Sequence, residues 1–363
     1  MNKLLVLITC ILPCILFSVT RTVALDGSQQ YTSIQVAVND SRNGDVVQVF
    51  PGRYEENIEF IDYHVSLVSL YATDPQQQYI ENTIIDGNLG SCIRIVDGET
   101  ITINGFTLVN NEENIDAEPY LAGGGIYLKD YSTGNVYNCI IRNCLALSGG
   151  GICSSTDSSF FLSNVLIYNN RAIVQGGGLA FNNSDALTFD NDHPSSIYNN
   201  YASQGMDVCV YYTQANQNPI TISLNMGSIA LSEPDGYFVN VHNANVSVTL
   251  EQGCIDLIDS DLFIAPNGDD NNSGLSVDSP LKTIAYAMQK IASNQDNPRT
   301  LHLASGIYSP SANDQILPSG VKSHIRIQGA GMDETVIDGE FLHSALEARY
   351  ADNIAISDMK IIN

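Results

Sequence analysis

The heptapeptide GGGICSS, Gly149–Ser155, places three glycines before a β-branched apolar residue. The chain carries the same phrase as GGGIYLK from Gly123 and as GGGLAFN from Gly176, so successive copies start 26 and 27 residues apart. Three consecutive glycines lose a great deal of backbone entropy on folding, so their repetition calls for a geometric cause. Gly125, Gly151, Gly178 and Gly205 mark the period at 26, 27 and 27 residues. A second phrase alternates with the first: TLVN, IIRN, LIYN and SIYN end at Asn110, Asn143, Asn169 and Asn199. Two markers keeping step describe one structural unit used several times.

Between the markers lie short runs of β-branched and aliphatic residues, such as DVVQVFPG from Asp45, FFLSNVLIYNN from Phe160 and NVSVTL from Asn245. Many alternate apolar with polar, as half-buried strands do, and helical periodicity is scarce. A unit of short strands and sharp corners predicts one coil of a parallel β-helix, each coil climbing one inter-strand spacing of about 4.8 Å. Like residues then stack on like: Ile, Leu and Val build the core, and Asn at a corner forms an amide ladder. The glycines are expected at a corner where φ is positive and no side chain fits between stacked backbones. A phosphate-cradling loop would need a helix after each triplet, and β-type text follows instead.

A larger duplication runs through the chain. Asp86-Gly87 maps onto Asp338-Gly339 at an offset of 252, Gly52 and Tyr54 onto Gly306 and Tyr308 at 254, and Ile103 onto Ile356 at 253. Each copy opens with a segment of helical period, Ile34, Ala37 and Val38 in one and Ile284, Ala287, Met288 and Ile291 in the other. Such a helix is expected to cap the open strand edge of the first coil. The expectation is therefore an all-β protein: a right-handed parallel β-helix in two tandem copies, 25–258 and 259–363, joined near GCIDLIDSD, 253–261. The second copy is expected to be truncated, because KIIN stops where glycine coils should follow.

Hydrophobic residues make up 44 % of the chain and charged ones 15 %, which excludes a disordered chain. Residues 1–24 carry a basic start at Lys3, an apolar run from Leu4 to Val19 and small residues at Thr22 and Ala24. That pattern predicts a signal peptide cut after Ala24, hence export, with no transmembrane segment in what remains. The cut removes Lys3 and Arg21, so 15 basic residues against 40 acidic become 13 against 40, and the net charge moves from −25 to −27. Nucleic acid is excluded as a partner, since binding it needs Lys and Arg to neutralise phosphates. Cys92, Cys139, Cys144, Cys153, Cys209 and Cys254 remain, enough for up to three disulfides in fifteen connectivities, with no zinc spacing. Asn39, Asn182, Asn245 and Asn271 head Asn-x-Ser sequons, which matter only in a glycosylating host.

These features resemble the right-handed parallel β-helix proteins of the pectin-lyase-like fold. The phrase FIAPNGDDNNSGLSVDSPLKTIAYAM, 263–288, is similar to the opening of a secreted β-helix domain of unknown function, and some exported pectate lyases begin in a similar way. The alternating glycine and Asn phrases are similar to the repeats of chlamydial polymorphic outer-membrane proteins, which pair a Gly-Gly-Ala-Ile type phrase with a Phe-x-x-Asn type one. Here Gly replaces the Ala, and an aliphatic residue or Ser replaces the Phe. The second resemblance implies an adhesin associated with the outer membrane. The first implies, for an enzyme, a polysaccharide lyase or glycosidase: a lyase with acidic residues holding calcium and an Arg or Lys base, or a hydrolase with two carboxylates roughly 5–10 Å apart.

Candidates for such chemistry are few. Asp86 and Asp338 each precede a glycine at the same place in the two copies, as structural corners do. Arg94 and Arg142 read as isolated outer-face cations, and His64, His193, His242, His302, His324 and His343 are scattered. No Ser lies in an elbow motif. Asp269, Asp270 and Asn271 are candidate calcium ligands without EF-hand spacing, so a plain polar loop is expected there. Trp is absent, leaving 18 Tyr as stacking surfaces. No catalytic residue is assigned and no cofactor beyond calcium is implied. The expected function is that of an exported, non-catalytic, adhesin-like scaffold meeting carbohydrate or a neighbouring cell surface. The alternative is a polysaccharide lyase or glycoside hydrolase of the same fold.

Overall fold

The computed structural model describes residues 18–362 apart from 62–63, 89, 111–119, 183–184, 212–219, 231–235, 242–243, 342–343 and 349–350. Its strands are short, and all of their pairings are parallel among the described residues. One coil of the middle region illustrates the path. Thr133–Tyr137 lies in the first sheet, Ile140–Arg142 in the second, Leu145–Ser148 in a short third and Ile152–Ser154 in the fourth, before Ser159–Ser163 returns to the first. The long sheets hold 7, 8 and 7 strands, each paired with its equivalents one coil away. The chain is thus an all-β parallel solenoid with few helices.

Registers carry the argument from sequence to packing. Ile93, Ile126, Ile152, Leu179 and Val208 are direct ladder partners in one sheet, and all are buried. In another, Ile85, Leu108, Ile141, Ile167 and Ile197 do the same. Burying one such side chain contributes about 1.5–3 kcal/mol, so these rows supply much of the driving force. Parallel ladders keep identical residues at one level, which is why a repeat of about 26 residues suffices to specify them.

The glycine triplets sit where the third sheet passes into the fourth, and their three members do different work. Only the first has positive φ: 60°, 60° and 61° at Gly123, Gly149 and Gly176. Gly125, Gly151 and Gly178 are required for space instead, because a Cβ on each would lie within 2.7 Å of a backbone oxygen in the next coil. Gly205 departs from the expected series. Leu179 pairs with Val208, which sets Gly176 opposite Gly205 and Gly178 opposite Asp207. Gly205 has φ 53° and is the counterpart of the first glycine, 29 residues on, so that coil holds two more residues than its spacing to Gly178 implied.

The Asn phrases also divide. Asn143, Asn169 and Asn199 hold left-handed turns, with φ 51°, 54° and 54°, a conformation Asn tolerates. The buried amide ladder belongs to the following residue in two coils, Asn170 and Asn200, with Cys144 in that place one coil earlier. Asn110, also buried, bonds both backbone groups of Leu145.

Short helices pack on the coils. Ile34–Asn39 buries Ile34, Ala37 and Val38 against the first coil, capped by Ser33. Ile284–Lys290 buries Ile284, Ala287 and Met288 over a second hydrophobic cluster built on Leu262, Leu301 and Ile327, separate from the first. Polar groups also join the residues around the two clusters. Gln289 Nε2 donates to Asn200 O at 3.0 Å, and buried Lys322 donates to the carbonyls of Gln289 and Ile291 while lying 5.0 and 4.9 Å from the Tyr237 and Phe238 ring centroids.

The apolar core of the expected signal peptide lies outside the described residues. Thr20–Val23, within the expected leader, forms a strand paired with Val46–Val49, and Val23 is buried. Arg21, expected to leave with the leader, is ion-paired with Asp45 at 2.5 Å and Asp40 at 3.2 Å.

Candidate functional site

Outward-facing groups of the middle coils bond mainly to one another. Asn164 donates to Asn138, which donates to Asn104, at 2.8 and 3.0 Å, while Thr133 pairs with Ser159 at 2.9 Å and Ser163 with Asp190 at 2.8 Å. The Tyr168 and Tyr198 rings stack, 5.4 Å apart and 5° from parallel. Arg94, expected to be isolated, pairs with Glu59 at 3.1 Å. Arg142 faces outward in register with Tyr168.

The remaining sequence candidates are at corners. Asp86 takes two bonds from Arg53, at 3.0 and 2.5 Å, and accepts the Asn88 N–H at 2.9 Å. Asp338 accepts the Glu340 N–H at the same 2.9 Å, so both Asp-Gly pairs build the same turn. Gly87 has no room for a Cβ, which would meet Gly90 O at 2.4 Å, and Gly339 N donates to Ile362 O. The loop proposed for calcium does not fit that ion. Asp270 Oδ1 accepts the N–H groups of Lys282 and Thr283, and Oδ2 the Thr283 hydroxyl, so its carboxylate anchors the start of the helix Ile284–Lys290. Asp269 Oδ1 accepts both nitrogens of Asn271. Among the described residues, no three His, Cys, Asp or Glu side chains are grouped to hold a metal. His242 and His343 lie outside the described residues.

A concave site appears beside the second hydrophobic cluster. Phe263, His302 and Gln328 are ladder partners that point outward from three successive strands. The first two rings stack at 5.0 Å with 21° between planes. The loop after Phe263 folds back beside them, and with Val277, Pro280 and Ala304 these side chains line a cleft of about 350 Å³. Val277, at the rim of the cleft, is 71 % exposed. Polar capacity comes from Gln328, whose Nε2 donates to Asp358 at 3.0 Å, and from His302, 3.4 Å from the Asp261 carboxylate. An aromatic floor with a few directional polar groups is the usual make-up of a small-ligand site. Sequence reasoning missed the site: the available signal was the outward position in LFI, LHL and the following IRIQ, which becomes one row only when register is known.

Two further groups have perturbed acidity. Asp207, fully buried, has its carboxyl pushed up to about 7 by burial, against hydrogen bonds from Asn200 and Ala230 that favour the charged form. Burial likewise raises Asp185, which accepts from Ser154, Ser158 and Asn182.

No family model matches the chain. Over 84 residues, 23 % of the chain, it is 34 % identical to pectate lyase PEL9 of Emericella nidulans, and it spans about a fifth, 19 %, of that relative's length. Among solved structures it is similar to the pectin methylesterase from carrot, with 10 % identity and a TM-score of 0.31 over 94 % of this chain and 88 % of that one. Among the described residues no helix is long and apolar enough to cross a membrane.

Proposed function

We propose that the protein is an exported, adhesin-like β-solenoid that works without catalysis as a scaffold at a cell surface and meets carbohydrate there. The observation that carries this reading is the state of the outer faces. Their polar side chains bond along the stack, and Arg53 and Arg94 are each matched to a carboxylate, so the middle coils offer a repetitive polar surface. Such a surface suits weak contacts made many times over. The reading includes right-handed winding, the hand nearly all parallel crossovers take, and two tandem copies, each with its own cluster and capping helix. It also includes a signal-directed route out of the cell.

The second reading, a polysaccharide lyase or glycoside hydrolase, is favoured by the stretch similar to a pectate lyase. One experiment separates the two. The full chain is incubated with pectin, polygalacturonate, alginate and xylan, with and without calcium, while absorbance of unsaturated uronides and reducing ends are followed. The scaffold reading expects retention of protein on at least one polymer and no product. Steady release of either product establishes the enzyme instead.

A further inference from the structure

The cleft beside Phe263 is selective because its polar groups are already committed in one direction. As a carboxylate, Asp358 can only accept hydrogen bonds, so Gln328 offers it the amide Nε2 at 3.0 Å and keeps its own oxygen for another partner. Asp261 acts on the imidazole in the same way. Its Oδ1 accepts the Thr300 N–H at 2.9 Å and its Oδ2 lies 3.4 Å from His302 Nε2; a proton held between those last two atoms leaves His302 Nδ1 as an acceptor. The two side chains that give the cleft its polarity therefore both present acceptors, each backed by a carboxylate. Among the described residues that line it there is no Lys or Arg. Arg326 faces outward on the Gln328 strand, but its ladder partner is Thr300, off the lining.

Backbone bonds hold the walls in place. Phe263 N donates to Gly274 O at 2.8 Å and Leu281 N to Phe263 O at 2.9 Å, so the loop that carries Val277 and Pro280 is tied to the Phe263 strand at both ends. The stacked rings of Phe263 and His302 close one side. At about 350 Å³ the cleft falls within the range of roughly 300–1,000 Å³ usual for small-ligand sites.

We propose that this cleft is a binding subsite for a neutral pyranose of a glycan chain, and that it discriminates against uronates. A pyranose has an apolar C–H face, which packs on the aromatic side, and a rim of hydroxyls able to donate, which Gln328 Oε1 and His302 Nδ1 receive. A uronate replaces one such donor with a carboxylate that only accepts, and it brings that charge towards Asp261 and Asp358. The net charge of −25 on the whole chain adds to the repulsion. The cleft thereby gives a sugar class to the carbohydrate contact proposed above, and it depends on that reading in this respect alone.

The full chain is titrated with cellohexaose, xylohexaose, mannohexaose and hexagalacturonate, the last with and without calcium, while the ring-nitrogen NMR signals of histidine are followed. At least one neutral hexamer should shift the His302 signals, assigned with His302→Gln. Its affinity should fall by about tenfold in Phe263→Ala and be largely restored in Phe263→Tyr. Hexagalacturonate should bind about tenfold or more weaker than that hexamer, calcium or not. Neutral hexamers that all leave His302 unmoved, undiminished binding by Phe263→Ala, or hexagalacturonate as the tightest ligand overturns the proposal. The His302 shifts of the wild-type chain decide even if Phe263→Ala fails to fold. Retention on a polymer with no hexamer in the cleft leaves the scaffold reading standing and removes the subsite, whereas a hexamer in the cleft without retention on any polymer does the reverse.

Discussion

The Asn200 side-chain oxygen accepts the backbone N–H of Asn170 at 3.0 Å, and the Asn170 oxygen accepts the N–H of Cys144, again at 3.0 Å. Each amide thus satisfies a donor in the coil before it, while its Nδ2 binds a carbonyl of that coil, Ile167 for Asn200 and Ile141 for Asn170. Asn170 and Asn200 are fully buried, so a polar group that loses its partner there pays the cost of desolvation.

Asn200→Ala should therefore destabilise the protein by about 3 kcal/mol, the cost of stranding several buried groups at once. Asn199→Ala, one residue away, should cost about 1 kcal/mol, since it removes only a favourable left-handed residue. Urea denaturation of the two variants measures the contrast.

Gly150→Ala should be far more damaging than its size suggests. The added Cβ would stand 2.4 Å from Gly177 O and 2.5 Å from Arg171 O, so two coils must separate. A loss of about 3 kcal/mol or failure to fold is expected. Gly236→Ala, where nothing lies within 4 Å, should leave the melting temperature unchanged.

Stability should fall as pH rises from about 4 to about 7. Unfolded Asp207 releases its proton near pH 4, whereas the folded protein keeps it until about pH 7, so the native state holds more protons across that window. The contribution is fully present below pH 4 and lost on passing pH 7. Asp207→Asn should flatten most of the slope in thermal melts, leaving a residue from Asp185, whose shift has the same sign.

If the cleft holds a sugar ring, Phe263→Ala should weaken retention on the polymer that binds by about tenfold, some 1.4 kcal/mol. Phe263 faces outward, so its melting temperature should change little. Affinity electrophoresis beside a thermal melt reads both quantities.

If the protein is exported, its mature chain should begin no later than Val19. Asp45 Oδ1 accepts the Val19 N–H at 2.8 Å, and the strand Thr20–Val23 completes the first coil. N-terminal sequencing of secreted protein checks this, and a chain starting at Leu25 should be markedly less stable.

Repetition made the architecture legible. The spacing of GGGI phrases, the alternation of apolar residues and the helical periods at Ile34 and Ile284 all express a local rule, and each coil obeys it with its own residues. Phase within the repeat was less legible. The Asn doublets YNN, 168–170 and 198–200, do not say which Asn turns the chain and which bonds the core, because both roles admit the same side chain. The third sheet, Tyr120–Ala122 with Leu145–Ser148 and Arg171–Gln175, was hidden for a similar reason: its strands run into the phrases on either side.

By itself the sequence determined that the chain winds into stacked coils and which rows are apolar, since periodicity survives without coordinates. Tertiary structure alone decided which outward residues meet. Phe263 and His302 lie 39 residues apart. That distance is not a multiple of the 26-residue glycine period, because coil lengths vary; only the hydrogen-bonded ladder converts sequence separation into contact.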